Sequence, residues 1–177
     1  SVLPEVIAKL ERRLGTLRVG DPLDKNTDVG AINSGPQLAT IQRYLTEGTA
    51  EGATMHQPST TPLPDKGFWC QPCFLSDVQP NHVIAREEIF GPVLAVMSFR
   101  TPEEAISRAN DTRFGLAAGV WTDKGSKIFE VASRLQAGVV WLNTYNRFDA
   151  TSPFGGVKES GFGREGGLHG LRGYLSL

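Results

Sequence analysis

The chain is organised around the stretch Arg86-Glu87-Glu88-Ile89-Phe90-Gly91-Pro92-Val93. The Gly-Pro pair predicts a turn before an apolar strand, because glycine adopts unusual backbone angles and proline fixes one. We therefore expect a rigid turn to present Glu88 and Phe90, as functional loops often do. An ionised glutamate has only acceptor sites, which suits a sugar diol with two O–H donors. General acid–base chemistry and a merely solvated carboxylate are the alternatives.

The pattern on either side of this stretch is that of an α/β protein. Apolar spacing predicts a helix over residues 3–17, and Ser34 is the expected N-cap of a second helix that runs to about Gly48. The apolar run 93–97 predicts a buried parallel strand. A helix capped by Thr101 precedes a strand, a helix and a strand over 117–121, 124–135 and 138–142. This rhythm predicts a mainly parallel sheet with helices on both faces.

Composition excludes two broad classes of function. The net charge of 177 residues is −1, without a basic stripe, so binding to nucleic acid by phosphate neutralisation is not expected. No apolar run approaches the length of a membrane span. The chain begins at Ser1 rather than Met, so we expect the true N-terminus to be missing and draw nothing from the lack of a targeting segment.

Three motifs with chemical associations lack the context that their chemistry needs. The Cys70-Gln-Pro-Cys73 pair has strand-like flanks and no second cysteine pair, so neither a redox pair nor a zinc site is expected. The three histidines show no ligand spacing, which predicts no metal site, and His82 follows a turn and is expected at the surface. Residues 161–166 match a dinucleotide fingerprint without its βαβ unit.

The tail from 143 to 173 is rich in glycine and aromatic residues and follows the end of a strand, where α/β proteins bind ligands. Phe148 and Phe154 lie in this segment. Aromatic side chains there either line an apolar pocket or anchor the loop to the core. Both interpretations remain open from the residues alone.

A series of motifs follows in order along the chain: Val19-Gly20-Asp21-Pro22, Glu87-Glu88-Ile89-Phe90-Gly91-Pro92, Gly115-Leu116-Ala117, Trp141-Leu142-Asn143 and Pro153-Phe154-Gly155-Gly156-Val157-Lys158-Glu159-Ser160-Gly161. Together they resemble the later part of the catalytic domain of the aldehyde dehydrogenase superfamily, along essentially the whole chain. The segment 167–175 resembles the family 16 branch, in which a second dehydrogenase-like unit follows.

The resemblance implies an enzyme that oxidises an aldehyde to a carboxylic acid with NAD or NADP. In the family, a Cys thiolate attacks the aldehyde to form a thiohemiacetal, and a water activated by a Glu releases the acid. By resemblance, Glu88 holds the nicotinamide ribose hydroxyls, Phe90 packs beside that ribose, and Gln37 is a further cofactor contact. A position nearby that is often Lys in the family is Thr40 here.

The resemblance also implies substrate-binding residues. Phe148 and Phe154 would line the substrate tunnel, and Asn143 would support the floor of the active site. The substrate would be a small-molecule aldehyde, and the full-length protein is expected to be a cytoplasmic homo-oligomer.

We interpret residues 1–177 as a partial aldehyde dehydrogenase catalytic domain that is inactive alone. The nucleophilic Cys is expected just before Ser1, and the general-base Glu and the main dinucleotide-binding domain further upstream. No residue of this chain is expected to be catalytic, and Cys70 and Cys73 are not substitutes. The alternative is a non-catalytic scaffold or interaction module, since relatives in family 16 include proteins without the nucleophile.

Overall fold

The computed structural model describes residues 2–59 and 62–175, and the chain divides into two units, Ser1–Ser98 and Phe99–Leu177. Both units combine helices with short strands, which confirms the α/β class. Each contains one parallel and one antiparallel strand pairing. No helix in the described ranges is both long and apolar enough to cross a lipid bilayer.

In its described residues, the first unit places three helices around a three-stranded sheet. Its elements are α1 (Leu3–Leu14), α2 (Gly35–Ala50), β1 (Thr54–His56), β2 (Cys73–Ser76), α3 (Val83–Arg86) and β3 (Val93–Ala95). The strand order is β1-β2-β3, with β1 antiparallel and β3 parallel to β2. The central strand β2 is buried along its whole length.

The start of α2 agrees with the sequence signal. The Ser34 hydroxyl accepts a hydrogen bond from the Gln37 backbone N–H at 3.3 Å, and Pro36 lies in the first turn. A capping oxygen satisfies one of the donors that a helix start leaves unpaired. The first turn of α2, which carries Gln37, is therefore fixed by its own cap.

The core of the first unit lies between α2 and the sheet. Ile41 and Tyr44 of α2 cluster with Leu75 of β2 and with Ile84 and Ile89. Side chains alternate across a strand, so the neighbours of Leu75 point the other way. There the ring of His56 stacks on Phe74 at 4.2 Å, and its Nδ1 lies 2.9 Å from a carboxylate oxygen of Glu11 in α1. The two longest helices thus approach the sheet from opposite faces.

Four local features differ from what the sequence predicted. Helix α1 ends at Leu14 rather than at residue 17, and the short helix α3 was not predicted. The run 93–97 is a parallel strand only over Val93–Ala95, and Leu94 is 48% exposed, so the expected burial is wrong for this chain. His82 is 6% exposed rather than at the surface, because the turn that links its N–H to the Gln79 carbonyl folds it inward.

The second unit contains a strand–helix–strand unit and a short antiparallel pair. Its elements are α4 (Pro102–Asn110), β4 (Phe114–Gly115), β5 (Ala117–Val120), α5 (Gly125–Arg134), β6 (Val139–Leu142), β7 (Val157–Lys158) and α6 (Gly167–Arg172). Strands β5 and β6 are parallel and are connected through α5, and β4 pairs antiparallel with β7. The Thr101 hydroxyl caps α4 by accepting from the Glu104 N–H at 3.2 Å, as predicted.

Candidate functional site

The loop between α3 and β3 presents two of the predicted cofactor residues. Ile89 is buried in the core of the first unit, while its neighbours Glu88 and Phe90 are exposed. The exposed fraction of Phe90 is 73%, and its φ of 50° lies in the left-handed region. Such a backbone angle is uncommon outside glycine and is frequent at functional sites. The loop is therefore anchored by one inward side chain and displays the other two outward.

The Glu88 carboxylate is available to a ligand. No hydrogen bond or ion pair joins its side chain to any residue within 2–59 or 62–175. A carboxylate accepts several hydrogen bonds and donates none when ionised. An exposed carboxylate beside an exposed aromatic ring fits a sugar diol attached to a flat ring.

Gln37 reaches the same loop from the first turn of α2. Its side-chain Nε2 donates to the carbonyl oxygens of Ile89, at 2.9 Å, and of Phe90, at 3.2 Å. An amide nitrogen has two N–H donors, so both are used by the loop. One turn further along α2, Ile41 lies directly under Gly91, where an added Cβ would come within 2.6 Å of the Ile41 Cδ1. Helix α2 therefore fixes the loop at two points.

The predicted substrate residues of the second unit are part of an aromatic cluster. The rings of Phe148 and Phe154 meet edge to face at 5.0 Å, and both contact the ring of the buried Trp141, at 5.6 and 6.4 Å. Tyr145 adds a fourth ring, 4.9 Å from Trp141. Phe148 is nonetheless 61% exposed. The cluster both anchors the tail to the core and leaves an aromatic surface open, so the two alternatives for these residues are not exclusive.

Trp141 and Tyr145 are members of this cluster that the sequence did not mark as site residues. The indole N–H of Trp141 donates to the Arg147 carbonyl at 2.9 Å, which joins the strand to the tail. The only signal in the sequence was an aromatic residue near the end of a strand, which is equally typical of a core position.

The side chain of Asn143 pairs with the backbone of Thr122. Its φ is 51°, and its side-chain amide accepts from the Thr122 N–H at 2.9 Å and donates to the Thr122 carbonyl at 3.0 Å. The side chain thereby imitates a strand peptide and extends the pairing of β6 with β5 by one step. This arrangement fixes the point at which the tail leaves the strand.

The glycine-rich part of the tail is held by its own backbone. Phe154 and Glu165 exchange two hydrogen bonds of 2.7 Å, and the Arg164 guanidinium donates to the carbonyls of Gly156 and Gly163, at 2.7 and 2.8 Å. A side chain at Gly138 would overlap the Gly155 carbonyl oxygen. Residues 161–166 therefore help to position Phe154 and are already occupied by contacts within the tail.

Neither cysteine has the surroundings of a nucleophile. Cys70 and Cys73 are buried and carry no disulfide. Burial and, to a smaller extent, the neighbouring Cys70 raise the pKa of the Cys73 thiol to about 12. A thiol is nucleophilic only when ionised. In the described part of the chain, no cluster of three or more histidine, cysteine or acidic residues is arranged to bind a metal.

Comparison with known proteins finds matches over the whole length of the chain. The model of the aldehyde dehydrogenase family matches residues 1–177. The betaine aldehyde dehydrogenase of Rhizobium etli is 42% identical over 179 residues, which cover 100% of this chain and 37% of the relative. That of Brucella melitensis is 43% identical over 174 residues, covering 97% and 36%. The chain thus spans about a third of the length of the curated relatives it matches.

Solved structures show the same correspondence. The NAD+ complex of an aldehyde dehydrogenase from Bacillus cereus superposes with a TM-score of 0.91 at 38% identity, covering 99% of this chain and 35% of that one. An indole-3-acetaldehyde dehydrogenase mutant of P. syringae, in complex with NAD+ and IAA, has a TM-score of 0.92 at 41% identity, covering 99% and 36%.

Proposed function

The chain belongs to the aldehyde dehydrogenase family, and we propose that the protein carrying it oxidises an aldehyde to a carboxylic acid with NAD or NADP. When bound, the dinucleotide supplies the acceptor for the hydride that leaves the aldehyde. In this proposal the first unit contributes contacts to the nicotinamide ribose, and the second contributes part of the wall of the substrate tunnel.

The observation that carries the proposal is the uncommitted carboxylate of Glu88 on an anchored loop. Its side chain is exposed and makes no hydrogen bond within the described ranges. Two ribose hydroxyls need two acceptor positions on one side, which one carboxylate provides. Phe90 offers its exposed ring beside it as an apolar contact. The residues present therefore fit the sugar of a dinucleotide.

The nucleophile of the proposed reaction belongs to residues outside 1–177. Cys70 and Cys73 are buried, and the pKa of Cys73 near 12 keeps its thiol protonated at neutral pH. The thiohemiacetal would therefore form on another cysteine of the whole protein. Phe148, Phe154 and Asn143 would shape the path of the aldehyde without taking part in bond formation.

Three further expectations rest on the resemblance alone and stay predictions. These are a homo-oligomeric state, a cytoplasmic location and the likeness of the segment 167–175 to the family 16 branch.

The test is aldehyde-dependent formation of NADH or NADPH by the whole protein that contains these residues. Betaine aldehyde and indole-3-acetaldehyde belong in the substrate panel, because relatives are named for them. Reduction of the dinucleotide with an aldehyde would support the proposal. A folded protein without activity on any aldehyde would instead support the non-catalytic scaffold.

Glu88→Gln tests the ribose contact directly. Replacing a charged acceptor by a neutral amide should raise KM for the dinucleotide about 10- to 100-fold, since hydrogen bonds to charged groups contribute about 1.5–3 kcal/mol. The thermal midpoint should stay unchanged, because the side chain has no partner among the described residues. Glu5→Gln, on the exposed face of α1, is the control for the loss of one surface carboxylate, and its exposed ion pair with Lys9 should contribute little to stability. An unaltered KM in the Glu88 variant would contradict the assignment.

A further inference from the structure

We propose that Gln37 is a positioning residue, which orients Glu88 and Phe90 through the backbone of the loop rather than by binding the cofactor with its amide nitrogen. This inference rests on the proposed function and deepens it.

Both N–H donors of the Gln37 side-chain amide are already in use. The Gln37 Nε2 donates to the carbonyls of Ile89 and Phe90, at 2.9 and 3.2 Å. These two bonds use both N–H groups of a primary amide. The nitrogen therefore has no donor left for a ribose or a phosphate, and only the Oε1 acceptor remains.

The two carbonyls that accept these bonds lie on either side of Phe90. The Ile89 carbonyl belongs to the peptide unit before the Phe90 Cα and the Phe90 carbonyl to the unit after it, and Phe90 has a φ of 50°. Left-handed backbone in a residue with a Cβ is unfavourable and persists only where surrounding contacts enforce it. Two hydrogen bonds from one side chain to the peptide units on either side of Phe90 are such contacts. They fix the direction in which the side chains on either side of Ile89 leave the loop.

The donor residue, Gln37, is itself held in a fixed position. Gln37 is in the first turn of α2, its own N–H is bonded to the Ser34 hydroxyl, and Ile41 one turn later is fully buried. The bonds from Gln37 therefore connect the exposed loop to an element that is itself fixed in the core.

The isosteric change Gln37→Glu separates positioning from direct contact. It replaces the donating nitrogen by an oxygen that repels both carbonyls, and it keeps an acceptor at Oε1. If Gln37 positions the loop, amide hydrogen exchange over residues 87–93 in the cofactor-free protein should become about tenfold faster. The Kd for NADH, measured by fluorescence, should rise about tenfold, and KM for the aldehyde should not change.

Two properties distinguish this outcome from general destabilisation. As the pH falls toward about 4, the introduced carboxyl group regains a proton and its single O–H can donate to one of the two carbonyls, so the Kd ratio of variant to wild type should decrease. Gln37→Met, which has no donor and no titratable group, should show the same loss at every pH. Gln42→Glu, the same substitution on an exposed position of α2, is the matched control and should behave as wild type.

The outcomes are distinct. Weaker NADH binding with wild-type exchange in the loop would overturn the inference in favour of a direct contact. Wild-type exchange and wild-type binding in both Gln37 variants would overturn it as well, since Gln37 would then neither fix the loop nor bind the cofactor. A wild-type protein that binds no NADH would refute the proposed function, whereas the exchange measurement would still decide whether Gln37 fixes the loop.

Discussion

The polar side chains considered in the first unit are of two kinds. Some can still bind a ligand, and others are already paired within the protein. Glu88 is exposed and uncommitted within the described ranges, while the donors of Gln37 are both used. The sequence predicted that Glu88 would be held on a rigid turn. It did not reveal the pairing of Gln37, because a contact between residues 52 positions apart depends on tertiary packing.

The thiol of Cys73 should be inert in the folded protein. Its pKa of about 12 leaves about a thousandfold less thiolate near pH 8.5 than an ordinary thiol with a pKa near that value. Alkylation by iodoacetamide at that pH, followed by peptide mass spectrometry, should be at least about 100-fold slower for Cys73 in the native protein than in guanidinium chloride.

The same pKa has a consequence for stability. The folded state keeps the Cys73 proton up to a pKa of about 12, whereas the unfolded thiol ionises near 8.5. The contribution of this thiol to stability is therefore complete below about pH 8.5 and declines as the pH rises toward 12. Native Cys73 that is alkylated as fast as the denatured protein would contradict the assigned environment.

At the scale of elements, α2 connects the core to the exposed loop. The loop approaches the helix so closely that a side chain at Gly91 would collide with Ile41, which is completely buried. Gly91→Ala should lower the free energy of unfolding by about 1–3 kcal/mol, as overpacking does, and should weaken NADH binding by displacing Glu88. Chemical denaturation and fluorescence titration measure the two effects.

A compensating change gives this prediction its control. Ile41→Ala removes both the Cδ1 and the Cγ1 atom that an added Cβ at Gly91 would meet, at 2.6 and 2.8 Å, so Gly91→Ala should lower the free energy of unfolding by less in the Ile41→Ala background than in the wild type. Gly125→Ala, at a site where nothing lies within 4 Å of an added Cβ, should be neutral. If the changes in the free energy of unfolding caused by the Gly91 and Ile41 substitutions were simply additive, the close contact between these residues would not account for the destabilisation.

The elements that the sequence predicted well are those with local signals. The caps at Ser34 and Thr101 and the strand–helix–strand pattern of the second unit need only neighbouring residues. Helix α3 has only four residues, too few for a periodic pattern. The burial of His82 and the exposure of Leu94 depend on which segments cover them, and that information is not local.

In the whole molecule, the proposed functions are divided between the two units. The first unit carries the loop that we propose to bind the ribose, and the second carries the aromatic cluster. Family membership could be predicted from the sequence because the motifs lie at loops and strand ends, where local residue identity is constrained by backbone angle and close approach. The role of each motif residue required the contacts: Arg164 and Asn143 both bind backbone groups.

Residues 1–177 expressed alone should show no aldehyde-dependent reduction of NAD or NADP. The only thiols in the chain are Cys70 and Cys73, and both are buried. Without an exposed thiol in reach of an aldehyde, the covalent step of the proposed reaction cannot begin. The assay uses the purified 177-residue chain after circular dichroism has established that it is folded, with the whole protein as the positive control. Aldehyde-dependent NADH formation by the folded chain, lost on substitution of either cysteine, would show that the nucleophile lies within these residues and would overturn this assignment of roles.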